Sequence, residues 1–165
     1  MDEAVFSSGQ VSPKVWFCPQ KTPVMIPRKK LSFKAIAVAA AIDMDGAVSG
    51  IEVVDEAIDS TAYLRFLHKV AAAQQGQPCI MLVDNLRVHY TKEVVALAAK
   101  LRIELCYNGI YSSEYNPIER LWAWSKARFT KRCTGDVPYH LQNKMRDLVE
   151  SICLEDYSIA LRKRI

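Results

Sequence analysis

Three acidic residues stand where their type and spacing could do chemistry. Asp84 follows directly on the apolar run Cys79-Ile80-Met81-Leu82-Val83. In an α/β sheet, the residue that ends a strand faces the crevice at the strand's carboxyl end, where ligands bind. Asn85 comes next, and His89 lies five residues beyond Asp84. Asp-Asn after a strand is also an ordinary turn sequence, so the pair alone fits either reading. Glu119 lies in Asn116-Pro117-Ile118-Glu119. Asn is a good N-cap, Pro suits the first helical position, and a Glu three residues after the cap can complete a capping box. Glu119 therefore has a structural explanation without catalysis. Asp2 leads into Ala4-Val5-Phe6. A charged chain end is normally solvated. If that run is a central strand, however, Asp2 projects from mid-sheet beside Asp84.

Carboxylates gathered at one point repel one another unless a cation neutralises them. Hard oxygen donors suit Mg²⁺ or Mn²⁺. Two such ions, about 3.5–4 Å apart, can activate a water or a 3′-hydroxyl and stabilise the leaving oxygen of an in-line phosphoryl transfer. That chemistry explains why Asp and Glu, and not His or Cys, would be collected there.

The elements that must position these residues are legible in the apolar pattern. Ala4 to Phe6, Val15-Trp16-Phe17, Phe33 to Ile42 and Ala47 to Val54 read as strands, with a loop over residues 19–30. Asp43-Met44-Asp45-Gly46 is a turn signal that makes the last two runs a hairpin. Asp59 or Ser60 caps a helix carrying Tyr63, Leu64, Leu67 and Val70 at helical spacing. Cys79 to Val83 reads as a strand buried on both faces. Thr91 to Lys100 reads as a helix and Ile103 to Tyr107 as a strand. Asn116 opens a long helix with Ile118, Leu121, Trp122, Ser125 and Phe129 along one stripe, and a last helix runs from about Tyr139 to Cys153. Antiparallel strands followed by βαβ units imply a mixed five-stranded sheet with helices on both faces, the plan of a ribonuclease-H-like α/β domain, although periodicity alone leaves other mixed α/β folds open. Right-handed crossovers bring the strand ending at Asp84 beside the first strand.

Composition sets outer bounds. The 165 residues suit one domain, and the formal net charge of +4 is compatible with a phosphate-rich partner without requiring one. Basic clusters such as Arg28-Lys29-Lys30 and Arg162-Lys163-Arg164 are more often solvated surface than nucleic-acid contacts. The five cysteines include no C-x-x-C pair, which argues against a zinc knuckle or a disulfide framework and for an intracellular setting. That setting is the nucleus in a eukaryote, or the cytoplasm and nucleoid in a bacterium. Cys79 and Cys106 sit in apolar runs and read as small core residues. No apolar stretch is long enough to cross a bilayer, so neither a membrane nor a small-molecule substrate is expected.

Val83-Asp84-Asn85-Leu86-Arg87-Val88-His89 resembles the second-aspartate motif of the DDE-superfamily transposases, of the mariner-like and related insertion-sequence type. Tyr111-Ser112-Ser113-Glu114-Tyr115-Asn116-Pro117-Ile118-Glu119 resembles that family's third-carboxylate motif, with Trp122 and Lys126 in the aromatic and lysine places that follow. Residues 85–118, thirty-four in all, separate Asp84 from Glu119, a spacing similar to that of one large branch of the family. Asp2-Glu3 resembles the first motif. The resemblance implies a catalytic, metal-binding triad of Asp2, Asp84 and Glu119 holding two Mg²⁺ or Mn²⁺ ions. It places Asn85, His89, Asn116 and Lys126 near the site or on DNA, with His89 either meeting a phosphate or packed within the fold. It implies DNA cleavage and strand transfer on transposon ends and target, by a homodimer.

The chain departs from the family pattern in two places. Asn108-Gly109-Ile110 stands where the family usually has two prolines. Only Met1 precedes Asp2, which reads as a single catalytic domain clipped within its first strand, with no helix-turn-helix region. An inactive or domesticated relic that binds DNA or protein is the alternative. An RNA–DNA hybrid nuclease on the same fold is a third reading, against which the Asn-Pro-Ile-Glu motif argues.

Overall fold

The computed structural model describes residues 1–7, 34–55, 57–109, 116–133 and 144–155. The strand expected at 15–17, the loop over 19–30, both basic clusters and residues 139–143 of the last expected helix lie outside them.

Strands β1 (Asp2–Phe6), β2 (Ile36–Ile42) and β3 (Val48–Asp55) form an antiparallel sheet with β2 in the centre. The β2–β3 hairpin closes as expected. The Asp43 carboxylate accepts the backbone N–H groups of Asp45 and Ala47, both at 2.9 Å, and Gly46 takes the positive φ of 82° that the turn requires. Helix α1 (Ser60–Ala73) follows, its N-terminus capped by Asp59, whose Oδ1 accepts the Ala62 N–H at 2.7 Å. Strands β4 (Cys79–Val83) and β5 (Ile103–Tyr107) pair in parallel across helix α2 (Lys92–Lys100), with a 3-10 turn over Arg87–Tyr90 inserted after β4. Helices α3 (Ile118–Cys133) and α4 (Met145–Leu154) complete the described chain.

The central strand β2 serves two cores because its side chains alternate between faces. Ala4, Phe6, Val38, Ala40, Ile51 and Val53 pack against α3 and α4. Met1, Ala39 and Ala41 face the other way, onto Tyr63, Phe66, Leu67 and Val70 of α1 and the inner residues of β4, α2 and β5. Gly50 lets α1 lie close to the sheet, for a Cβ there would stand 2.6 Å from Val70 Cγ2.

The ribonuclease-H-like α/β plan holds, with three corrections. Among the described residues the expected single five-stranded sheet is instead a three-stranded and a two-stranded sheet. The start of β1 is level with the end of β4, and the bond between them is from the Met1 nitrogen to the Leu82 carbonyl, 2.8 Å. Strand β4 is buried on one face, not both: Met81 and Val83 are inside, but Ile80 is 71% and Leu82 36% exposed. A continuous apolar run cannot distinguish these cases. Cys106 is exposed rather than a core residue, on the same uncovered side of β5; among the described residues Cys133 and Cys153 are the buried thiols. Among the described residues no helix is long and apolar enough to cross a membrane.

Candidate active site

The site forms where the start of β1, the end of β4 and the first turn of α3 meet. Two successive residues of β1 point to opposite sides of the sheet, and each finds its own partner.

Asp2 turns toward α3. Its row across the sheet continues through Ala40 and Ile51, both apolar and buried. Its Oδ2 accepts the indole N–H of Trp122 at 3.0 Å. Burial is the main reason its pKa is pushed up to about 6, and the negative charges of Glu3 and Glu119 push in the same direction. The Trp122 bond and a backbone N–H bond oppose the rise. Asn116 ties α3 to the same point: its side-chain amide donates to the Met1 carbonyl at 3.1 Å, and its Oδ1 accepts the Ile118 N–H at 3.3 Å. The Glu119 backbone N–H goes to the Asn116 carbonyl instead, at 3.1 Å. The expected capping box is therefore not formed among the described residues. The Glu119 side chain is exposed at the head of α3, near enough for its charge to act on Asp2.

Glu3 turns toward α1, where it meets His89. The His89 ring is 0% exposed. Its Nε2 is 3.0 Å from Glu3 Oε1, and its Nδ1 is 3.1 Å from both the Asp84 carbonyl and Asp84 Oδ1. Carbonyl and carboxylate oxygens only accept, so both ring nitrogens donate. Burial works against the charged ring, but the bonds to Glu3 and to the Asp84 carbonyl, with the charges of both carboxylates, outweigh it and hold the imidazole above its ordinary value. The Tyr63 ring packs on the imidazole with centroids 4.7 Å apart. Tyr107 Oη donates to the His89 carbonyl at 3.0 Å. A ring so enclosed offers no face to a phosphate.

Asp84 follows β4 as expected. Its side chain is 44% exposed, and its Oδ1 also accepts the Leu86 N–H at 3.1 Å. Asn85 links this loop to the end of β5: its amide donates to the Asn108 carbonyl at 2.7 Å, and its Oδ1 accepts from Tyr90, whose ring stacks on Tyr107. Lys126 is half-buried on α3, about two turns beyond Glu119. Arg128 and Arg132, in the basic stretch of that helix, pair with Glu155.

The arrangement thus associates Asp2 with Glu119 and, separately, Asp84 with Glu3 and His89. Ligand atoms of Glu3, Asp84 and His89 all lie within 4.8 Å of one another. A single ion there would engage one ring nitrogen, however, whereas Nε2 bonds to the Glu3 carboxylate and Nδ1 to the Asp84 carbonyl, with Asp84 Oδ1 equally close to Nδ1. The carboxylates of Asp2, Glu3 and Asp84 all act electrostatically on the Met1 nitrogen between them. Asp2, Asp84 and Glu119 are hard oxygen donors. With Asp2 half-buried and lacking a cationic side-chain partner among the described residues, that donor set fits a divalent cation. Glu3 is the residue sequence reasoning passed over. The signal was strand parity, since the neighbour of Asp2 must point to the other face.

A search of curated proteins finds no match. Solved structures do match. The Mos1 transposase paired-end complex with left transposon end aligns at 17% identity and a TM-score of 0.64, over 93% of this chain and 48% of that one. The Mos1 mariner paired end complex with Mn aligns at 17% identity and 0.64, over 93% and 49%. The Mos1 transposase catalytic domain with Raltegravir and Mn aligns at 16% identity and 0.54, over 77% and 70%. At such identities the likeness concerns the fold, and this chain spans about half the length of the Mos1 chains in the paired-end complexes. The family model for the DDE superfamily endonuclease matches residues 1–151, and the chain accordingly belongs to that family.

Proposed function

We propose that this chain is the catalytic domain of a DDE transposase, which cuts DNA and joins the freed 3′ end to a target, with Asp2, Asp84 and Glu119 as its metal-binding carboxylates. The observation that carries this reading is the setting of Asp2. Its carboxylate is half-buried in an apolar row, is acted on by the charges of Glu3 and Glu119, and has a neutral indole as its side-chain donor. A fold keeps such an arrangement at a cost in stability, and a cation shared among the carboxylates relieves it.

When bound, two Mg²⁺ or Mn²⁺ ions supply the positive charge that favours the attacking hydroxyl and stabilises the leaving oxygen. The chain's own residues do the positioning. Trp122 holds Asp2 by its Oδ2. Asn116 fixes the head of α3 against β1, so that Glu119 stays beside Asp2. Asn85 anchors the Asp84 loop to β5. DNA is the partner this chemistry requires, and the Mos1 structures that share the fold include a paired-end complex and a strand transfer complex. We extend that partnership to this chain, with transposon ends and target as substrates and a homodimer supplying two sites.

One observation favours a second reading, a domesticated domain that binds DNA without cutting it: the Asp84 carboxylate is turned to His89 and Leu86 rather than grouped with Asp2 and Glu119. A nicking assay on supercoiled plasmid with Mg²⁺ or Mn²⁺ separates the two. Metal-dependent nicking is expected, and both Asp84→Asn and Glu119→Gln lower it by at least about 10³-fold, the scale on which essential groups act. Nicking that survives unchanged in both variants excludes the triad. A DNA shift without any nicking supports the domesticated domain.

A further inference from the structure

The seam between β1 and β4 is where the two sheets meet, and a bond from the Met1 nitrogen to the Leu82 carbonyl crosses it. Here a side-chain bridge spans the same seam. Glu3 is set in β1 opposite Ala39 of β2, so its backbone is held by the ladder. His89 lies between Glu3 and Asp84: Nε2 is 3.0 Å from the Glu3 carboxylate, and Nδ1 bonds to the Asp84 carbonyl at 3.1 Å while standing 3.1 Å from Asp84 Oδ1, so the ring holds both the backbone and the carboxylate of Asp84. The ring has no room to turn: it is fully buried, rests on Tyr63, and its backbone is held by the Tyr107 hydroxyl. Asp84 by contrast stands on a loop with a half-exposed side chain.

We propose that Glu3, acting through His89, is a positioning residue that sets the orientation of the Asp84 carboxylate for metal binding. Strand β1 then serves two carboxylates at once. It carries Asp2 on one face, and through Glu3 it braces Asp84 from the other. The spacing between Asp2 and Asp84 is governed by a rigid strand instead of by the loop after β4. Groups that orient a metal ligand in this way typically change metal affinity about 10–100-fold when removed. The inference rests on the reading of Asp84 as a metal ligand, and the experiment tests the two separately.

Mn²⁺ binding is measured by electron paramagnetic resonance of the free ion, with thermal melting as the check on folding. Four proteins are compared: the unaltered chain, Asp84→Asn, Glu3→Ala and Glu3→Gln. Asp84→Asn loses most of the binding. Glu3→Ala weakens it about 10-fold. Glu3→Gln keeps an acceptor oxygen for the imidazole N–H and binds within about 2-fold of the unaltered chain. If Asp84→Asn binds like the unaltered chain, the metal-ligand reading fails, and the brace has no object. If Asp84→Asn loses binding but Glu3→Ala does not, the brace alone is overturned. Equal losses in Glu3→Ala and Glu3→Gln also overturn it, because a charge-dependent effect makes Glu3 itself a ligand. Should Glu3→Ala fail to fold, the imidazole N–H resonances of the unaltered chain decide: two slowly exchanging ring protons are expected, and a freely exchanging Nε2–H overturns the bridge.

Discussion

Two neighbouring rows of the same sheet treat buried acid in opposite ways. On the α1 face, the row Glu3–Ala39–Glu52 sets a glutamate on either side of an alanine. Each glutamate has a basic partner: His89 for Glu3 at 3.0 Å, and Arg65 and Lys69 for Glu52 at 2.8 and 2.7 Å. On the α3 face, the adjacent row Asp2–Ala40–Ile51 sets an aspartate in apolar surroundings, with Trp122 as its side-chain donor and Glu119 adding repulsion. Burial alone therefore does not mark a functional carboxylate. Glu52 is more deeply buried than Asp2, yet its charge is balanced and its role is structural. What marks Asp2 is burial without a cationic side-chain partner among the described residues.

The comparison can be broken first at its functional end, with the loss of nicking in Asp84→Asn and Glu119→Gln; if Asp2, Asp84 and Glu119 do not serve a common cation site, those substitutions are silent. The next largest effect is on packing. Phe129 meets Phe6 edge-on at 5.3 Å in the α3-side core. Phe129→Ala should cost about 3–5 kcal/mol in urea unfolding, a large part of a domain's stability. Because Phe6 shares β1 with Asp2, this variant should also lose Mn²⁺ binding, whereas a loss of stability alone would separate the core from the site.

Glu52 sharpens the contrast through pH. Burial works to raise its pKa, but bonds to Lys69 and Arg65 prevail and hold it below the ordinary glutamate value of 4.5. A lowered folded-state value means stability that is present above pH 4.5 and is lost as pH falls through the folded value. Glu52→Gln should therefore cost about 1–2 kcal/mol at pH 7, with the deficit shrinking below pH 4. A deficit that persists undiminished at pH 3 removes the charge from the account.

Asp2 should give the smallest effect, with the opposite sign. Its folded value is raised to about 6 from 3.8, so the ionised form burdens the metal-free fold progressively between those values and fully above pH 6. Asp2→Asn keeps an acceptor for Trp122 and should raise the metal-free melting temperature by about 2 °C at pH 7.5, with no gain at pH 3.5. A gain that is the same at both pH values would show the effect to be packing rather than charge.

Much of this was legible in the sequence for identifiable reasons. The Asp-Gly turn, the Asp59 cap and the apolar stripe of α3 are local signals, and each element stands where they point. The motif spacing located Asp84 at the end of β4 and Glu119 at the head of α3. Non-local matters were less readable. That β4 leaves Ile80 and Leu82 in solvent depends on what covers it, which a run of apolar residues does not encode. The Glu3–His89 contact joins residues 86 positions apart. Composition gives no hint of it; strand alternation does, but only once β1 is known to start at Asp2.

Gly50 ties a remote point of the molecule to this chemistry. With no side chain at that position, the Val70 end of α1 rests almost on the backbone of β3, and the same rigid helix carries Tyr63, the floor under the imidazole. The thickness of that contact is therefore a shim for the active centre. A methyl group added at position 50 would press on Val70 of the helix that carries this floor, at a distance from every carboxylate of the site.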